Sequence, residues 1–368
     1  GNPALNKAGA AALTIANDGA NAFGALTLDD GALAFANSGA NSFGDITING
    51  GALTFSNRQP NTYSGNLALN AGSLTFNLNA GATLANAITG AGALVKQNTN
   101  VLVLSGDNSS FDGPITVNAG VLKIGDAVGL NQDSTALGSV NGGTVIADGA
   151  TLDVNGYNLK SEPVTVSGAG VNGEGAIVEN RGDPAFHSPG GATLASVTLA
   201  GDTTFGGTGR LDFRSNPSSG TNAAFYTGGQ PYKITLVGTN QIQFTGVQID
   251  PALGDIDVRE GTLGIETSTT LGNSASNLFV HAGSRLLFYQ LYTPVEKQVH
   301  LSGDGTNDTI YAQSSQSVGQ NTLAGPIDIT GNCLINVASA YDLTFSNVVS
   351  GTGGLTLNNS TASLFSFL

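Results

Sequence analysis

Five carboxylates crowd into one stretch of the chain, Asp250, Asp255, Asp257, Glu260 and Glu266, with Arg259 among them. Two carboxylates flanking one sugar linkage supply an acid and a base, so such a group points to cleavage of a polysaccharide. Asp255 and Asp257 alternate, and on a strand both would lie on one face, as the wall of a cleft requires. A solvated outer face is the preferred reading of the same residues. His187, His281 and His300 stand far apart, and no Gly-Asp-Ser-Gly signature occurs, so a nucleophilic triad has no support. No catalytic, cofactor-binding or metal-ligating residue is assigned, and no cofactor is expected.

Two short strings have chemistry attached to them. Arg181-Gly182-Asp183 is a tripeptide that some cell-adhesion receptors recognise, but Gly and Asp are ordinary turn residues and a plain turn is preferred. Gly303-Asp304-Gly305-Thr306-Asn307-Asp308 faintly resembles a calcium-binding Gly-Asp repeat. Such sites share ligands between consecutive copies, and one copy reads as a turn, so Asp304 and Asp308 are not taken as ligands. Cys333 is the single cysteine, which excludes an internal disulfide and leaves the role of a buried small hydrophobe.

The elements that must position these residues are set by a period of twenty. Leu13, Leu33 and Leu53 recur in step, followed two positions later by Ile15, Phe35 and Phe55. Asn17, Asn37, Asn57 and Asn77 keep the same register, as do Phe23, Phe43 and Tyr63, then Leu26, Ile46 and Leu67 with one residue of drift. Within a period, apolar residues alternate over three to five positions, the pattern of short strands. Gly31, Gly51 and Gly72 follow the second strand, where a corner needs positive φ, and the Asn series marks the corner after the first.

A unit this small cannot bury a core alone and must stack on its neighbours. The expected fold is all-β, a right-handed parallel β-helix of roughly 20 residues per coil with loop insertions. At a strand spacing of about 4.8 Å, roughly 16 to 18 coils make a rod on the order of 80 Å long. Phe23, Phe43 and Tyr63 should then form an aromatic ladder. Asn17, Asn37, Asn57 and Asn77 should form an amide ladder along the axis, with Gln97 next. Lys96 falls where the phase expects an apolar residue, so the register should break there or Lys96 should turn outward.

Bulk composition bounds the function. The formal charge is −14, from 12 Lys and Arg against 26 Asp and Glu, with no basic patch, so a nucleic-acid partner is not expected. No stretch approaches the roughly 18 apolar residues of a spanning helix, and none resembles a signal peptide. The 53 Gly argue for disorder, but 40% hydrophobic residues in regular phase argue for a buried face. The sequence opens in repeat-like residues at Gly1 and is expected to be mature, truncated or excised from something longer.

Residues 101 to 125 carry the resemblance to a known family. Val101-Leu102-Val103-Leu104 is followed by Ser105-Gly106, Asn108 before Phe111, Gly113, the strand Ile115-Thr116-Val117 and the turn Asn118-Ala119-Gly120. This order closely resembles the autotransporter-associated β-strand repeat. Ala136-Leu137-Gly138 and Gly149 to Gly156 look like its continuation, and Asn61 to Leu74 like an earlier copy. Ala93-Leu94-Val95-Lys96 also fits, since the family often has Lys at that point. Looser echoes occur at Asp255 to Ile265 and Asn277 to Leu287. The resemblance implies a secreted bacterial surface protein, a passenger-type β-helix. Such passengers are usually followed by a membrane-embedded β-barrel, for which the ending Thr361 to Leu368 is too short.

One elongated body over 1–368 is expected, with regular coils over 1–95, the best match to the repeat over 96–160 and less regular coils with loops over 161–368. The segments near 126 to 140, 168 to 192, 213 to 232 and 289 to 320 do not fit a minimal coil and are expected as loops, where binding commonly resides. The expected function is non-enzymatic, an extracellular structural or adhesive rod at the bacterial cell surface. Its expected partners are other copies of itself, end to end or lateral, and host or neighbouring-cell surface glycans or proteins. A polysaccharide lyase or hydrolase on the same scaffold is the alternative. Neither end shows an obvious cap, which would suit a fragment of a longer array or end-to-end stacking.

Overall fold

A computed structural model describes residues 1–125, 133–159, 161–181, 192–215, 222–313, 321–338, 341–359 and 363–368. The strands pair in parallel, each with its own copy one coil later, as Leu13 with Leu33, Leu33 with Leu53, Leu53 with Leu74 and Leu74 with Leu94. The result is an all-β parallel solenoid of about 15 turns. Among the described residues the one helical element is a single 3-10 turn, Val171–Gly173.

The interior follows from the alternation. Leu33, Phe35, Leu53, Phe55, Leu67 and Leu74 are fully buried, while Ala34, Thr54 and Thr75 between them face out. Phe23, Phe43 and Tyr63 form the expected ladder, with centroids 6.1 and 5.9 Å apart and planes 16° and 15° from parallel. A second column, Phe35, Phe55 and Phe76, meets it edge-on, Phe35 and Phe43 lying 5.0 Å apart at 80°. Gly31, Gly51 and Gly72 have φ of 75°, 72° and 73°. A Cβ at Gly51 would also lie 2.1 Å from the Gly31 carbonyl oxygen, so neither the conformation nor the coil spacing admits a side chain.

Turns are fewer than the length alone suggests because later coils are longer. Ile115 pairs with Thr144, Val164 with Val197, Thr203 with Ile234 and Val299 with Ile327, so inserted residues extend corners without adding turns. The parallel pairing survives these insertions, with register shifts between Val166 and Gly168 and between Asp304 and Ile310. Three segments expected as loops contain strands: Ile177–Glu179 lies inside 168 to 192, Ala224–Tyr226 inside 213 to 232, and Gln298–Leu301 and Asp304–Gln313 inside 289 to 320. Coil length, which the period reports, is thus distinct from strand register, which the apolar alternation sets.

Lys96 corrects the expectation drawn from the phase. It keeps the register, opposite Phe76 and Val117, and is 2% exposed. Its ammonium donates to the carbonyls of Gln97, Asn98 and Ala119 at 3.2, 2.8 and 2.9 Å, so the buried charge is hydrogen-bonded rather than bare. Lys297 repeats the device, donating to Leu253, Gly254 and Asn273 at 3.3, 2.7 and 2.8 Å. Burial lowers each ammonium to about 8.

Candidate functional site

The corners carry the polar chemistry, and in the first coils one corner turns its amides inward while another keeps Asp29, Asn49 and Asn70 in an exposed column joined at 2.8 and 2.8 Å. Asn37 and Asn57 are fully buried, but they are not the axial ladder. The axial steps belong to Asn21, Asn41 and Asn61, whose amides join at 2.9 and 3.1 Å. Asn37 and Asn57 bond across the corner to Asn41 and Asn61, reciprocally, and Asn37 also donates to the Gly19 and Gly39 carbonyls. None of the Asn17 series has positive φ, and at Asn17, Asn37 and Asn57 side-chain bonding takes the place of left-handed backbone. The axial column was itself spaced by twenty in the sequence and was missed. It ends after Asn61, since the Leu67–Ile88 register places Ala82 next, and Gln97 is exposed.

Residues 94 to 124 show what the repeat motif builds. Asn108, 1% exposed, accepts from the Ile88 amide at 2.8 Å and donates to the Ala136 carbonyl at 2.6 Å, tying the coil below to the coil above. Phe111 fills the core beside it, and Gly113 leaves room for its ring, since a Cβ there would lie 2.8 Å from the ring edge. Gly120, with φ of 69°, turns the chain after Ala119, whose carbonyl takes the Lys96 ammonium. Asn108, Phe111, Gly113 and Gly120 of the motif therefore each have a stacking role.

Beyond residue 200 one outer face carries a charged cluster. Its central outward column runs Thr204, Thr235, Asp257, Phe279, His300, Asp328 and Ser350 through successive strand pairs. Asp257 is its hub, bonded to the Lys233 ammonium at 2.9 Å, the Arg259 guanidinium at 2.9 Å and His281 Nε2 at 2.7 Å. Burial pushes the Asp257 carboxyl upward, but the bonds from Lys233, His281 and Arg259 outweigh it and hold the group below the usual carboxylate range. The Phe279 and His300 rings stack at 4.8 Å and 16°, and His300 also contacts Asp328 and Asn277 at 3.4 and 3.2 Å.

The acidic group does share this region, but its members do different things. Asp255 accepts from the Asn277 amide at 3.1 Å, beside Asp257 on the same outward side. Asp250 accepts from the backbone of Thr227, Gly229 and Ala252, and the Ala252 bond foremost holds it below the usual range. Glu260 accepts from the Gly238 amide at 2.8 Å. Glu266 lies on another side, against Thr245 at 3.0 Å and Arg210 at 3.7 Å, and burial raises it. Arg210 and Arg214 both reach Asp212, at 2.6 and 3.2 Å.

The remaining candidates separate in the same way. Asp304 accepts from the Asn307 and Thr306 amides at 2.9 and 2.8 Å, which hold its carboxyl well below the usual range, whereas Asp308 faces Arg285 at 3.8 Å. Among the described residues no group of three His, Cys, Asp or Glu is placed to hold a metal ion. Arg181 donates to the Tyr157 hydroxyl at 2.8 Å and lies 5.7 Å from that ring's centroid. Gly182, Asp183 and His187 lie outside the described residues. Cys333 is 1% exposed, and burial pushes its thiol up. No helix among the described residues is long and apolar enough to cross a membrane.

Comparison with known proteins agrees with this anatomy. Residues 94–124 match the passenger-associated-transport-repeat family. Over 219 residues the chain is 29% identical to the adhesin BmaC autotransporter of Brucella suis biovar 1 (strain 1330), a match that covers 58% of this chain and 6% of that protein. No solved structure matches. The passenger-associated transport repeat thus lies across stacked coils of a parallel β-solenoid that is similar, along more than half its length, to an autotransporter adhesin.

Proposed function

We propose that this chain is a non-enzymatic, adhesive rod displayed outside a bacterial cell, with its early coils as self-associating scaffold and its later coils as contact surface. The observation that carries the reading is the passenger repeat at 94–124 embedded in a continuous parallel register, supported by likeness to a protein named an adhesin. Being an adhesin, like being outside the cell, is drawn from that likeness. The fold supplies the means: a rod holds successive outward side chains at one spacing of about 4.8 Å.

Self-association is supported by one side of the early coils. Its outward column reads Thr14, Ala34, Thr54, Thr75, Val95, Thr116, Val145, Thr165 and Thr198, without a charge. The neighbouring positions Ala32, Ala52, Ser73 and Ala93 are equally small and neutral. On a chain of net charge −14, two copies meet here without opposing like charges. The non-enzymatic reading is supported by the acidic group, whose carboxylates are each committed to a different amide or cation instead of facing one another.

The test is attachment of beads coated with the purified chain to cells, run beside sedimentation of the chain at rising concentration. Attachment and concentration-dependent assembly are expected. A chain that stays monomeric and ignores cells would refute the proposal, and release of reducing or unsaturated ends from a polysaccharide panel would refute its non-enzymatic part.

A further inference from the structure

Successive coils turn the same corner with loops of different length, and the difference opens a valley in the rod. The strand Pro163–Gly168 is followed by a finger that leaves and re-enters at the Gly170–Gly175 bridge and contains the turn Val171–Gly173. One coil later the strand Ser196–Gly207 rounds the corner without a break, taking only a register shift opposite Val166 and Gly168. The next coil projects again between Ala224–Tyr226 and Ile234–Leu236. The short corner is the floor of a cleft of about 790 Å³, with the finger as one wall and Tyr232 in the other.

The lining has the chemistry of a polyhydroxylated ligand. Asp148 and Asp202 are exposed, and among the described residues no cation is paired with either. Asp148 lies close over Gly168, where a Cβ would come within 1.9 Å of its carboxylate oxygen, so the glycine makes room for the carboxylate. The Asp202 carboxylate accepts from the Lys233 amide at 2.9 Å, which fixes it at the floor and leaves acceptor capacity toward the cleft. Ser167, Thr204 and Thr235 add hydroxyls. The two cations at the far end, Lys233 and Arg259, are both bonded to Asp257.

We propose that this valley binds a short segment of neutral oligosaccharide, with a sugar ring against Tyr232 and sugar hydroxyls donating to Asp148 and Asp202. The volume lies within the roughly 300–1,000 Å³ of small-ligand sites. An aromatic wall takes the apolar face of a sugar while carboxylates and hydroxyls take its rim. A peptide adding itself as a strand needs a free edge. Here the floor strand is paired on both sides, with Pro163–Gly168 and Ile177–Glu179 below and Ala224–Tyr226 and Ile234–Leu236 above. Two unneutralised carboxylates also disfavour acidic sugars.

This site deepens the adhesive reading and rests on it. The full chain is titrated with chitotetraose, cellotetraose and tetragalacturonate by saturation-transfer NMR, alongside Tyr232→Ala and Asp148→Ala, with thermal melts to establish folding. Binding of a neutral tetraose, weakened about tenfold in either variant, is expected. Because Tyr232 also packs on the core, the exposed Asp148 gives the independent readout. No binding of either neutral tetraose, equal or tighter binding of tetragalacturonate, or affinity unchanged by Asp148→Ala in a folded chain overturns the proposal. Attachment of wild-type chain to cells without tetraose binding removes this site and leaves the adhesive reading standing, whereas loss of attachment itself removes that reading.

Discussion

The coils around Phe23 to Phe76 and those around Ile234 to Leu301 share one parallel register and place their polar chemistry on opposite sides of the wall. In the early coils the amides of Asn21, Asn37, Asn41, Asn57 and Asn61 point in and bond coil to coil. The outside there is small and neutral along Ala34, Thr54 and Thr75. In the later coils Asp257, Lys233, Arg259, His281 and His300 meet on the outside. In their interior the Asn240 amide and the Ser284 hydroxyl have no hydrogen-bond partner among the described residues. The outward charges of the later coils sit on coils of nearly the same length as the early ones, Ile234 pairing with Ile256 and Leu278 with Val299, so side-chain type and not coil length separates the two regions.

The largest expected effect separates these two kinds of polar group. Asn41→Leu removes bonds to Asn21, Asn37 and Asn61 at once and strands their buried partners, so a loss of about 3 kcal/mol is expected in urea unfolding. Gly51→Ala forces positive φ on a residue with a Cβ and presses it on the Gly31 carbonyl, for an expected loss of about 2 kcal/mol. At the other extreme, Asp257→Asn releases cations that are themselves partly in water. It should cost under about 1 kcal/mol, with the difference shrinking in salt. A cost for Asp257→Asn equal to that for Asn41→Leu would erase the distinction between inward and outward polarity.

Lys96 and Lys297 sharpen the comparison by being alike in both regions. Each is lowered from 10.5 to about 8 by burial, so the folded chain binds fewer protons than the unfolded chain between those values. Their contribution to stability therefore rises as pH increases from about 8 to 10.5. Comparing the pH dependence of unfolding for the wild type, Lys96→Met and Lys297→Met should show the rise reduced in each variant by a similar amount. A change confined to one variant would mean the two lysines do different work.

Much of this fold was written in the repeat, because stacking demands the same thing of every coil. Leu33 and Phe35 had to face in, Gly51 had to turn left-handed, and Phe43 had to meet Phe23 and Tyr63, so recurrence alone placed them. Asn21, Asn41 and Asn61 obeyed the same period and were readable from it. Lys96 was misjudged because its charge was weighed without the carbonyls that its own corner and the next supply. The acidic group near Asp257 looked like one feature because its members are close in sequence, whereas corner geometry sends Asp250 to backbone amides and Glu266 to another side. The valley beside Tyr232 was illegible for a related reason: it exists only as a difference in length between neighbouring corners, which no single segment displays.

Whether early coils hold the rod together and to its copies while later coils make the contact is decided by bead attachment with two sets of surface changes. One set, Thr54→Glu with Thr75→Glu, charges the neutral side of the early coils; the other, Phe279→Ser with His300→Ser, strips the later outer face. Coated beads are expected to lose attachment to cells only with the second set, while the first set loses assembly in sedimentation and keeps attachment. Equal loss of attachment from both sets, or from the first alone, would contradict it.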